Sequence, residues 1–105
     1  MAKPIRKIMC CCGSGLGSSL MVQMNIEKAV KNLGIQGIEE IDHTNITGAQ
    51  PNVADLFVVG KDLAPIFKEG YDRVIVLDKI LSMDELTTKL EQAFACEDDT
   101  FWIDA

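Results

Sequence analysis

Basic residues are few and scattered in this sequence: 10 Lys and Arg stand against 16 Asp and Glu, a net charge of −6. Nucleic-acid binding needs clustered cations that displace counterions from phosphates, and no such cluster occurs, so no nucleic-acid partner is expected. Anionic membrane surfaces are disfavoured on the same ground, whereas docking on a basic protein patch stays open. No uncharged apolar run reaches the roughly 18 residues of a membrane span, so direct membrane insertion is not expected either. The opening MAKPIRKIMCCCG is basic and apolar, but glycines 13, 15 and 17 interrupt it and no small-residue cleavage site follows. A secretory leader is therefore not expected, and the cytoplasm is the expected location. His43 is the only histidine, three of the four cysteines are contiguous at 10–12, and the fourth is Cys96. That set lacks the spaced pairs of a metal site, and neighbours along a strand point to opposite faces and do not readily bridge. Reduced thiols, no metal and no cofactor are the expectation.

What is present is ordinary globular material, 48% hydrophobic and 25% charged over 105 residues. That suffices for one core. Residues 1–105 are read as a single domain with an acidic tail from about residue 97, EDDTFWID, which either frays or folds back. Four segments predict strands: Ile5 to Cys11, the weaker GIEEI from Gly37 to Ile41, LFVVG from Leu56 and RVIVLD from Arg73. The last two are continuous β-branched runs without polar alternation, the pattern of strands covered on both faces.

Three helices are predicted between them. The first runs from about Ser18 to Leu33, with Val22, Ile26, Ala29, Val30 and Leu33 on the buried side and Gln23, Glu27, Lys28 and Lys31 on the wet one. Gly34 is placed to stop it. A shorter helix is predicted over Leu63 to Glu69, capped by Asp62 with Pro65 in its first turn. In the last, Ser82 and Glu85 form a capping-box pattern, Leu81 is expected to staple onto Leu86, and Leu86, Leu90, Ala93 and Phe94 make the buried stripe. This alternation predicts a small three-layer α/β fold: a Rossmann-like open sheet of four mainly parallel strands flanked by helices. Ligands in such folds bind beyond the carboxyl ends of the strands, and CGSGLGSS follows the first one.

That stretch has the makings of a phosphate-binding loop. Gly13, Gly15 and Gly17 let the backbone curl with its N–H groups inward, with Ser14 and Leu16 between them. Ser18 and Ser19 offer hydroxyls and a helix cap, and the helix start adds unpaired N–H groups and partial positive charge. A thiol at the rim, Cys12, would feel the same field, which favours its thiolate. Other phosphate loops fit less well. No lysine follows the glycines as a P-loop requires, and G-x-G-x-G is not the dinucleotide spacing. Low-molecular-weight phosphatases and arsenate reductases place an arginine six residues after the cysteine, and here that position is Ser18. Without the guanidinium that clamps phosphate, hydrolysis should be poor, and a thiophosphate on Cys12 should last long enough to be handed on.

The segment KIMCCCGSGLGSSLMVQMN resembles the phosphocysteine loop of enzyme IIB of the sugar phosphotransferase system (PTS), in its ascorbate-type branch; galactitol-type relatives share the fold with fewer glycines in the loop. The match runs from Cys12 through Met24, and the strand–helix alternation fits over the whole chain. The resemblance implies a phosphoryl carrier: a IIA protein presents phosphohistidine, Cys12 takes the group, the loop 13–19 holds its oxygens, and a sugar on a membrane IIC transporter receives it. It implies ascorbate as the sugar, and no metal or cofactor.

Cys10 and Cys11 read as packing residues of the strand, and Cys96 as packing late in the last helix. His43 reads as a solvated loop histidine after the second strand, within reach of the sheet's carboxyl edge. Met21 and Met24 read as helix-face residues with a soft surface for partners. Two rivals stand beside the carrier: an enzyme of the small phosphatase or arsenate-reductase kind, and a non-catalytic IIB-like regulatory domain.

Overall fold

The computed structural model describes residues 5–11, 16–44, 48–96 and 100–104, with the backbone alone at 16–19. The elements follow in the order β1 (Lys7–Cys11), α1 (Leu16–Leu33), β2 (Glu40–Thr44), β3 (Leu56–Gly60), a 3₁₀ helix (Ala64–Phe67), β4 (Arg73–Leu77), α2 (Met83–Ala95) and β5 (Phe101–Ile103). The strands form one sheet in the order β2-β1-β3-β4-β5, every neighbouring pair parallel.

Alternation along the strands sorts the core into two layers. Ile8, Cys10, Leu56, Val58, Ile75 and Leu77 face α1 and α2, where Val22, Ile26, Ala29, Leu86, Leu90 and Ala93 meet them. Met9, Cys11, Phe57, Val59, Val74 and Val76 face the other way, onto Ala49, Leu63, Ala64 and Phe67. Phe57, Phe67 and Tyr71 stack there with centroids 4.6–5.8 Å apart, and the Tyr71 hydroxyl donates to Ala49 O at 2.6 Å. Every residue of β3 and β4 is buried, which explains the apolar runs Leu56–Gly60 and Val74–Leu77; Arg73, which opens β4, is the one charged residue among them.

The parallel three-layer architecture is the one expected, with corrections in detail. Among the described residues there are five strands rather than four. The tail folds back: Phe101 N donates to Asp72 O at 2.8 Å, Phe101 and Ile103 pack on the helix-side core, and Trp102 turns outward. Three residues amid acidic neighbours carry too short a pattern to read as a strand. β2 begins three residues later than expected, because Gly37 turns the chain at φ +89° and the Glu39 and Glu40 amides then bond to Arg6 O. The middle helix is a single 3₁₀ turn whose cap position is Leu63 with no side-chain bond. Asp62 instead lies over Gly60, where an added Cβ would meet its Oδ1 at 2.6 Å.

α1 begins two residues before Ser18, so the serines lie within its first turn rather than capping it. It ends as expected. Gly34 adopts φ +69°, its N–H reaches Lys31 O at 3.2 Å, and Ile35 N–H reaches Val30 O at 3.1 Å, the paired bonds of a Schellman ending. In α2, Ser82 Oγ accepts from Glu85 N at 3.3 Å, which is half of the capping box. The Glu85 carboxylate does not close the other half; it accepts from the amides of Asp78 and Lys79, both at 2.7 Å. Leu81, expected to staple onto Leu86, stays half exposed.

Candidate functional site

β1 lies between β2 and β3; the connection that leaves β1 runs to β2 on one side, and the one that leaves β3 runs to β4 on the other. The carboxyl end of β1 is therefore at the topological switch point, where open parallel sheets form a crevice. Cys11 is the last residue of β1 and Leu16 the first of α1, so only four residues separate strand from helix. Those four, Cys12, Gly13, Ser14 and Gly15, lie outside the described residues. Leu16, Gly17, Ser18 and Ser19 form the first turn of α1, whose leading N–H groups have no intrahelical acceptors. No acidic side chain occupies that turn, so nothing on it opposes an anion at the helix N-terminus.

The other two thiols of the cluster belong to the sheet. Cys10 and Cys11 are each 1% exposed, on opposite faces, and neither is in a disulfide. Cys10 Sγ donates to Asp42 O at 3.5 Å. Cys96 is the C-cap of α2 and half-buried, its N–H reaching Ala93 O at 3.3 Å.

His43 is not a loop residue. It is the fourth residue of β2, opposite Cys10 in the parallel register, with Thr44 opposite Cys11. Its side chain is 27% exposed, and its Nδ1 bonds to Gln23 Oε1 of α1 and lies 3.7 Å from Asp42 Oδ1. Gln23 read as a wet-face residue; only the packing of α1 on β2 reveals that it meets a residue 20 positions away. The nearer signal, Gln23 and Glu27 at i and i+4, is real, with Gln23 Nε2 donating to Glu27 Oε2 at 3.4 Å. Met21 and Met24 are exposed on α1 together with Leu20.

A second feature of the same edge went unread in the sequence. Lys89, 7% exposed, sends its ammonium from α2 to Val76 O and to Glu85, bracing the chain where it leaves β4. Burial pushes the Glu85 carboxyl up, but Lys89 and the Asp78 and Lys79 amides outweigh it and hold it below the ordinary carboxylate value. The concave region of about 370 Å³ lined by Pro51, Asn52, Asp55, Phe57, Asp72 and Arg73 lies at the opposite, amino edge of the sheet. Among the described residues no group of His, Cys, Asp or Glu is placed to hold a metal ion, and no helix is long and apolar enough to cross a membrane.

A parallel sheet with its switch point beside β1, a four-residue connection and a helix N-terminus free of acid at one sheet edge define a small open-sheet α/β protein. The family model for "PTS system, Lactose/Cellobiose specific IIB subunit" matches residues 7–92, and the chain belongs to that family. It is a IIB component of the phosphotransferase system, and its general reaction is phosphoryl transfer. Among solved structures it is similar in fold to the lactose-specific IIB component domain of the phosphoenolpyruvate:carbohydrate phosphotransferase system from Streptococcus pneumoniae. That likeness has a TM-score of 0.51 at 16% identity, over 88% of this chain and 93% of that one. No curated protein matches the sequence. The matched family is not the ascorbate or galactitol branch that the loop resembles.

Proposed function

We propose that this chain takes a phosphoryl group on Cys12 from the phosphohistidine of a IIA protein and passes it to a sugar bound by a membrane IIC transporter. The observation that supports this reading best is the position of β1: its carboxyl end is at the switch point, four residues from an acid-free helix N-terminus, within a IIB family match. In the reaction the Cys12 thiolate attacks phosphorus in line, the S–P bond forms, and the N–P bond of the donor histidine breaks. The amides of residues 13–15 and those of the first turn of α1, Leu16, Gly17, Ser18 and Ser19, hold the phosphoryl oxygens. The second transfer reverses these roles, with a sugar hydroxyl as acceptor. Positioning and charge stabilisation suffice for such chemistry. The protein acts in the cytoplasm, with no metal or cofactor.

Incubation with phosphorylated IIA, read by intact mass, tests the assignment. One phosphate is expected on the wild type and on Cys10→Ser and Cys11→Ser, and none on Cys12→Ser. A labelled Cys12→Ser protein overturns it, and turnover of p-nitrophenyl phosphate would favour the phosphatase reading instead. The Gly-x-Gly-x-Gly-Ser-Ser loop favours ascorbate as the sugar, whereas the family description favours a lactose- or cellobiose-type sugar. Vesicles carrying IIC, supplied with each sugar in turn, separate these by which sugar phosphate accumulates.

A further inference from the structure

The segment that leads into β2 leaves one apolar region uncovered. α1 ends at Leu33, and the chain turns at Gly34 and Gly37, with φ of +69° and +89°, to reach the amino end of β2. Between α1 and this segment runs a groove of about 480 Å³. Its apolar wall is Val30, Ile35, Ile38 and Ile41, which belong to the helix-side core and, Val30 apart, are only partly buried. Every charged residue that lines it is acidic: Glu27, Glu39 and Glu40. Glu27 accepts from Gln23 and pairs with no Lys or Arg among the described residues. Glu39 and Glu40 meet Arg6 and Lys7 at 3.6 and 3.2 Å, in exposed pairs of little strength.

The groove borders an open sheet edge. β2 pairs only with β1 among the described residues. The Glu40 amide donates to Arg6 O, so Glu40, Asp42 and Thr44 turn their backbone groups toward β1, and Ile41 and His43 turn theirs outward. Asp42 Oδ1 takes the His43 N–H at 2.7 Å, whereas the Ile41 N–H and C=O have no strand to bond. Side chains alternate as well. Ile41 faces the helix-side core, so Glu40 and Asp42 face the other way. A strand added here would set one row of side chains on the apolar wall and the other row beside two carboxylates.

We propose that the groove and the β2 edge bind an extended segment of a partner protein in which basic and aliphatic residues alternate. The aliphatic side chains cover Val30, Ile35, Ile38 and Ile41, the basic ones meet Glu40 and Asp42, and the backbone bonds to Ile41. Glu27, on the α1 rim, takes a flanking cation. Charge selects this occupant. A second copy would bring the same carboxylates together, and nucleic acid or an anionic membrane would be repelled. A small amine would leave the Ile41 backbone groups without partners. The groove lies at the amino end of β2, opposite the carboxyl edge where phosphoryl transfer is proposed, so this inference does not depend on the carrier reading.

The probe is a fluorescein-labelled heptapeptide of alternating Lys and Val, added to ¹⁵N-labelled protein and followed by anisotropy and amide shifts. The shifts should be largest at Val30 and from Ile35 to Ile41, with slower exchange of the Ile41 amide. Glu27→Lys and Glu40→Lys should each weaken binding by about threefold to tenfold, as expected when an ion pair becomes a like-charge contact. Glu91→Lys, an exposed reversal on α2, should change it by less than about twofold, because remote exposed charges are screened. All three sites are exposed, so circular dichroism should show folded variants. A peptide with Glu for Lys should not bind, and one with Gly for Val should bind more weakly. Equal losses in Glu91→Lys and Glu27→Lys, or equal binding of the Gly peptide, would reduce the effect to net charge and overturn the proposal. Amide shifts that fall outside the groove overturn it as well. A concentration-dependent dimer of the protein alone that shifts the same amides makes a second copy the occupant, which also overturns it.

Discussion

Lys89 joins α2 to the end of β4 through Glu85: its Nζ lies 2.6 Å from Glu85 Oε2 and 2.5 Å from Val76 O, while Glu85 also holds two backbone amides. The pair sits one helical turn apart with side chains 9% and 17% exposed. It therefore differs from the exposed pairs Arg6–Glu39 and Lys61–Asp78, from which little stability is expected.

Removing one partner leaves the other charge in a place built for two. Lys89→Met is expected to cost about 2 kcal/mol and Glu85→Gln about 3 kcal/mol in urea unfolding, the latter because it strands a buried ammonium. The double variant should lose less than the sum. Strict additivity would show that the contact contributes nothing.

The same carboxylate sets an acid limit. Its folded pKa lies below its ordinary value of 4.5, so its contribution is complete above that value and disappears as the pH falls through the lower folded one. Unfolding free energy of the wild type should decline over that range. Glu85→Gln should decline less steeply there, and equal slopes would refute the assignment.

Gly34 should resist substitution. Its φ of +69° is disfavoured for a residue with a Cβ, although there is open space around it. Gly34→Ala is expected to cost about 1–2 kcal/mol from backbone conformation alone. Circular dichroism should show an intact helix with a lowered melting temperature, and an unchanged melting temperature would contradict the Schellman ending.

Much of the architecture was legible in the residues. LFVVG and RVIVL announce strands buried on both faces, and they are. Ser82 marks the start of α2 and Gly34 the end of α1 because caps and left-handed turns depend on local chemistry. The cysteine cluster divides as its strand position required, with Cys10 and Cys11 in the two core layers. Less legible were features that depend on what lies opposite. β5 exists because α2 returns the chain to the edge of β4, and three residues cannot signal that by themselves. Glu85 fits a capping box, but two free amides after β4 compete for its carboxylate and win it.

The sequence by itself determined the parallel α/β class, the glycine-rich stretch that follows Cys12, and Ser18 where a phosphatase would carry arginine, since periodicity and motif spacing are local properties of the chain. Only the tertiary structure decided that His43 belongs to a strand beside Cys10, with Gln23 and Asp42 at its Nδ1. It also decided that Lys89 is buried between Glu85 and Val76. Both depend on packing a helix onto a sheet, which brings together residues that chain distance leaves unrelated.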